Sequence, residues 1–298
     1  MQLMHVSLEG GCMSYGFFKS NSSNIHVFVC AATLLALPTT ALSQALCGTG
    51  GVVFSTKELK VDADGAPNSY LVNGEGLSYT CDGLTAVGST PDTDPKGWQK
   101  KCQNAWKKAV ATGDYSKVRI FGFSKDANNK PIIQKAGDPL PGKAFITETS
   151  VSVPDGPAGT QRHWVDANEI PYVVLSSSFV RKFGVKDGDI AVVYRPATKR
   201  FAYGVYGDGG KLGEASVRFH QDIGNNPLVN KGGVLRAKSG IADERKNKDP
   251  IPVITVVFPG KTSHPTVDAK KWRDEIAAMG KTHFDNWGGL QKLIECAR

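Results

Sequence analysis

The stretch YGVYGDGGKLGEAS (203–216) sets two carboxylates, Asp208 and Glu214, on either side of a glycine-rich loop of little bulk. Acids so placed support three kinds of chemistry. They can be the solvated acids of a plain glycine turn. With Lys211 beside them, they can flank an anion held at a helix N-terminus, although neither G-x-G-x-x-G nor G-x-x-x-x-G-K-[ST] is present. They can also act as a proton-transfer pair. One carboxylic acid then protonates a leaving oxygen while a second carboxylate readies water, and the gap between them selects inversion or retention at a sugar carbon. Their separation along the chain fits either outcome.

The elements around the loop decide how the acids are held. FAYGVYG (201–207) alternates, with Phe201, Tyr203 and Val205 on one side, which predicts a strand ending at Asp208. Beyond the loop Ala215, Phe219 and Ile223 recur every four residues before Gly224, which predicts a helix starting at or just after Glu214. A helix N-terminus favours an ionised carboxylate by about 0.3–1 kcal/mol, which leans Glu214 toward base and Asp208 toward proton donor. Burial can reverse that order, so both assignments stay open. Further strands are predicted at 118–123, 144–153, 171–177, 189–195 and 253–258, all rich in β-branched and aromatic residues. Helices are predicted at 97–113, with Trp98, Cys102, Ala105, Trp106 and Ala109 on one face, and at 270–280, ending at Gly280. The polar segment 225–250 is a long surface excursion. No repeat or linker divides the chain, so a mainly β single domain over 44–298 is expected.

The 298 residues are 40% apolar with 33 glycines and 16 prolines, the composition of a turn-rich globule. Lys19, the apolar run 25–37 and the small residues Ala41 and Ser43 make a secretory leader over 1–43, with Met13 a candidate start. The run is short and stops at Pro38, which disfavours a membrane anchor. Export leaves Cys47, Cys81, Cys102 and Cys296, an even set that predicts two disulfides without fixing the pairing. No C-x-x-C or H-x-x-x-H spacing suggests zinc. Net charge is +8, but Lys and Arg form no basic block with interleaved aromatics, so nucleic acid is a poor partner.

Three segments together, WVDANEIPYVVL (164–175), GDIAVVYRPATKRFAYGVYGDGGKLGEAS (188–216) and VITVVFPG (253–260), resemble glycoside hydrolase family 75, the secreted chitosanases. The likeness rests on Tyr-Gly-x-x-Gly-Asp followed by Gly-Glu-Ala-Ser, and extends to VDADG (61–65) near the domain start. It implies endo-hydrolysis of β-1,4-linked glucosamine polymer with inversion, by Asp208 and Glu214, in a monomer without cofactor or metal. It further suggests a compact β-barrel or barrel-like sheet, of double-psi type, with short peripheral helices. Because chitosan is cationic, a local acidic cleft is needed, for which Asp62, Asp64, Asp166 and Glu169 are the candidates, with Tyr206 and Lys211 as further substrate contacts. Two rivals are a non-catalytic polysaccharide- or cell-wall-binding protein and a hydrolase of another amino-sugar polymer such as peptidoglycan.

Other residues carry weaker signals. VDADG begins like a calcium loop, but the twelfth position from Asp62 is Asn73 rather than Glu. Ser176–Ser178 lack a G-x-S-x-G setting. Trp164 and His163 precede Asp166, and His220 sits in the predicted helix, where packing is the default role. Tyr203 and Tyr206 lie on opposite faces of a regular strand, so at most one meets a substrate.

Overall fold

The computed structural model describes residues 8–9, 12–13, 45–241 and 253–297. The expected leader lies outside these apart from a small hairpin, β1 (Leu8–Glu9) with β2 (Cys12–Met13). The end of the predicted excursion, 242–252, also lies outside. Residues Leu42–Arg298 form one compact unit.

That unit is built on β3 (Ala45–Cys47), β4 (Gly51–Thr56), β5 (Lys60–Asp62), β8 (Tyr172–Leu175), β9 (Asp189–Arg195), β10 (Arg200–Gly209), β11 (Glu214–Ser216) and β14 (Val253–Thr262). These make one eight-stranded mixed sheet in the order β3-β4-β14-β9-β10-β8-β11-β5. Two small antiparallel sheets accompany it: β6 (Leu84–Ala86) with β7 (Val118–Ile120), and the hairpin of β12 (Leu228–Lys231) with β13 (Val234–Ala237). The mainly β expectation therefore holds. The barrel does not: the sheet runs from the β3 edge to the β5 edge without closing.

The central strands are nearly continuous apolar runs, because helices cover them. β9 buries Ile190, Ala191, Val192 and Val193 completely. The helix α4 (Ala269–Trp287) lies across β9 and β10 and buries Trp272, Ile276, Phe284 and Trp287. The sequence placed its end at Gly280, but the helix runs on for two more turns. Gly280 is there for close approach: a Cβ would come within 2.7 Å of the Tyr203 ring. The last helix, α5 (Gly289–Cys296), follows directly, while α2 (Ser177–Phe183) is capped by the Ser176 hydroxyl. Segment 144–153 forms isolated bridges to Leu71, Phe123, Ile133 and Trp164 rather than the strand its composition suggests. Its backbone is used to join two cores.

The second core belongs to a small lobe. Helix α1 (Trp98–Thr112) packs Cys102 and Ala109 against Leu84, Val118, Ile120, Phe123 and Phe145. It ends at Gly113 with φ +73°, the left-handed C-cap that the glycine predicted.

Cys47 pairs with Cys296 across 249 positions, tying the β3 edge to α5, and Cys81 pairs with Cys102 inside the lobe. In the chain-entropy view the long closure contributes about 5 kcal/mol and the short one about 3. A chain lacking residues 1–43 should therefore show no free thiol to a thiol reagent when folded. Cys296→Ser should lower the free energy of unfolding measured in urea by about 2–5 kcal/mol.

Candidate active site

Asp208 reaches its position through a bulge. β10 pairs in parallel with β8, Tyr206 opposite Val173 but Asp208 opposite Val174, so Gly207 is an extra residue. In an unbroken strand Tyr206 and Asp208 share a face. The bulge separates them, because Val173 and Val174 point to opposite sides. Only glycine fits at 207, where a Cβ would stand 2.5 Å from that of Tyr172. On the other side of β8, Ala215 of β11 pairs antiparallel with Val173, which sets Glu214 beside Val174. Glu214 in turn pairs with Lys60 of β5. Asp208, Val174, Glu214 and Lys60 thus form a row across four strands, and all four line one cleft of about 880 Å³.

Local bonds fix the row. The Ser216 hydroxyl accepts from the N–H groups of Tyr172 (3.0 Å) and Phe219 (3.1 Å) and donates to Ile170 C=O (2.7 Å). It clamps β11 to β8 and caps α3 (Val217–Asp222) at once. Glu214 therefore lies on a strand upstream of the cap, not in a helical turn, and the helix-dipole preference expected from the sequence does not act on it. His220 is buried, as its packing role required. It bonds Lys60 C=O through Nε2 at 3.0 Å and meets Asn225 Nδ2 through Nδ1 at 3.0 Å. Burial lowers its pKa to about 4, so it is neutral and pins β5 in place.

Asp62 and Asp64 join Asp208. One carboxylate oxygen from each lies within 4.8 Å of the others, although β5 and β10 stand three positions apart in the sheet. The sheet must curl sharply there for the groups to meet. Asp62 Oδ1 accepts Asp64 N–H at 2.9 Å, and the turn closes at Gly65 with φ +83°. Burial pushes Asp62 and Asp64 well above the usual carboxylate range, and neighbouring carboxylates push them further. Tyr70 stands beside Asp64, and the buried Tyr172 donates its hydroxyl to Asp64 C=O at 2.8 Å.

Asp208 is only 7% exposed. Burial raises its pKa, but its Oδ1 accepts N–H from Ser150 (2.6 Å) and Gly209 (2.7 Å), donors that favour the ionised form. Asp208, which gathers these two backbone donors, is the member of the trio best fitted to hold negative charge. Glu214 stands outside this trio, and its carboxyl accepts no hydrogen bond from a described residue. Burial raises its pKa, while Lys60 and Lys211 draw it down. A hard cation could also use the three aspartate oxygens, since such ions take carboxylate ligands.

The cleft contains six carboxylates, Asp62, Asp64, Asp82, Glu148, Asp208 and Glu214, against Lys60, Lys211 and Lys238. A basic chain thus carries a locally acidic groove. Lys211 sits at its rim, 3.9 Å from Asp92. Two predicted contacts are elsewhere. Tyr206, turned away by the bulge, is buried off the cleft, its hydroxyl pushed up to about 12 by burial and by Asp187 and Asp208. Asp166 lines a separate cavity of about 370 Å³ with Glu169 and Trp164, where burial pushes it up to about 7. Asp166 is drawn there by its own turn, its Oδ1 accepting Asn168 N–H at 2.8 Å; Glu169 pairs with Arg273. Ser150, which holds Asp208 from a distant loop, left no signal in the sequence beyond a serine in a strand-like run.

No protein-family model matches the chain, and no curated protein matches it.

The crowded acids make the stability depend on pH. A carboxyl whose folded pKa is raised favours folding only in its protonated form, so the benefit holds below the unfolded pKa and is lost as pH rises. Asp64→Asn keeps an oxygen for Tyr70 and removes the charge. Its melting temperature should exceed that of the native protein at pH 7, and the gain should vanish at about pH 3, below the unfolded carboxylate pKa.

Proposed function

We propose that the protein is an exported, endo-acting glycoside hydrolase that cleaves β-1,4 linkages of chitosan with inversion. The observation that carries this reading is the placement of Asp208 and Glu214 on the two strands flanking β8, both lining one acidic cleft of about 880 Å³. Two strand spacings separate their Cα atoms by up to about 10 Å, which leaves room for a water between the carboxyls, as inversion needs. The acidic lining suits a cationic chain despite the net charge of +8. The two disulfides suit an oxidising compartment, and among the described residues no helix is long and apolar enough to cross a membrane.

The hydrogen bonds give each acid a task. Asp208, whose ionised form two N–H groups favour, takes a proton from the attacking water. Glu214, half-buried and without a hydrogen-bond partner among the described residues, serves as the acid that gives its proton to the departing glycosidic oxygen. The O–H bond of water breaks toward Asp208 as its oxygen bonds the anomeric carbon. The sugar–oxygen bond breaks with its electron pair on the leaving group, which Glu214 protonates. This reverses the order that a helix dipole at Glu214 would have set. Asp62 and Asp64 first position Asp208 and then present a negative surface to substrate ammonium groups.

Purified protein should release reducing ends from soluble chitosan, and the first-formed anomer, seen by NMR, should be α. Asp208→Asn and Glu214→Gln should each lower kcat by about 10²–10⁴-fold. Binding without release of ends would identify a non-catalytic polysaccharide-binding protein instead. Activity should persist in excess chelator, since no step uses a metal; its loss there would point to a cation among the three aspartates. Because Asp208 is buried, its amide variant should not be silent in melting, as an exposed loop acid would be. It should melt no lower than the native protein at pH 7, having lost a group that burial disfavours in its charged form.

A further inference from the structure

The wall that the small lobe lends to the cleft holds a large apolar side chain that packing does not explain. Phe121 is 55% exposed, although Val118 and Ile120 just before it are buried in the lobe core. Its backbone is firmly held: the N–H groups of Phe121 and Gly122 both donate to Gly83 C=O at 3.0 Å. At Gly122 a Cβ would stand 2.7 Å from Gly83 Cα, so the chain turns there and leaves the ring outward. Glu148 lies next to it, its N–H donating to Gly122 C=O at 3.3 Å, and its carboxylate accepts the Ser124 hydroxyl. The half-buried Trp98 adds a second ring, and the Cys81–Cys102 bridge ties its helix to this wall.

A ring face beside a carboxylate complements one chemical object well. A protonated amino sugar has an apolar C–H face, which stacks on an aromatic ring, and an ammonium, which bonds a carboxylate. Asp208 and Glu214 come from β10 and β11, whereas Phe121 and Glu148 come from loops, so the pair meets a polymer at a different part of the cleft lining. We propose that Phe121 and Glu148 form a subsite for one protonated amino-sugar residue, which sets the preference for deacetylated polymer; this rests on the hydrolase reading above.

Steady-state kinetics on two chitosans, one fully deacetylated and one highly acetylated, test the subsite. If the native protein releases no ends from either, the hydrolase reading itself fails. With an active native protein, Phe121→Ala should raise KM on both polymers by about tenfold, and Phe121→Trp should restore it. Glu148→Gln should raise KM on the deacetylated polymer alone. An unchanged KM in Phe121→Ala, or a Phe121→Trp that behaves like it, overturns the proposal. So does a Glu148→Gln that weakens both polymers equally, which would mark Glu148 as structural through its bond to Ser124.

Discussion

Burying carboxylates beside one another opposes folding, and the site is organised around that cost. Asp62, Asp64 and Asp208 crowd into a space where all three cannot be charged. The fold answers with donors: the Tyr172 hydroxyl bonds Asp64 C=O, Asp62 accepts the Asp64 N–H, and backbone N–H groups from Ser150 and Gly209 hold Asp208. A carboxylate so supported is easier to keep ionised than its neighbours.

Delivering these groups to one place depends on a sheet that curls without closing. β5 and β10 are far apart in strand order, yet their acids touch. The curl is held at the β5 edge by His220 and at the other edge by the Cys47–Cys296 bridge and by Trp287, whose Nε1–H donates to Cys47 C=O at 3.0 Å. The small lobe then supplies the opposite wall. The Cys81–Cys102 bridge thus fastens a wall of the cleft and the Cys47–Cys296 bridge the far edge of the sheet, while the sheet interior relies on apolar packing.

Much of this was legible in the residues. Apolar runs marked β8, β9 and β14, alternation marked β10, and glycines marked the ends of α1 and α3. The Asp208–Glu214 pair was visible because the loop between them is short. The short strands β5 and β11 were not, since three residues carry no periodicity; sheet neighbours make them strands. Gly280 read as a stop, but its role is contact with Tyr203, which no local pattern records.

The sequence by itself determined which groups are available: the acids, the even cysteine set, the glycines that permit a bulge and a tight turn, and the apolar stretches that must be buried. Tertiary structure alone decided which acids meet. Asp166 and Tyr206 sit as near to the motif in the chain as the residues that do enter the cleft. A separate turn removes the first, and one extra glycine in β10 rotates the second to the far face. Ser150, Phe121 and Glu148 come in from loops more than fifty residues upstream of Asp208. Side-chain direction and long-range approach are set by strand register and sheet curvature, and neither is written in any short span of residues.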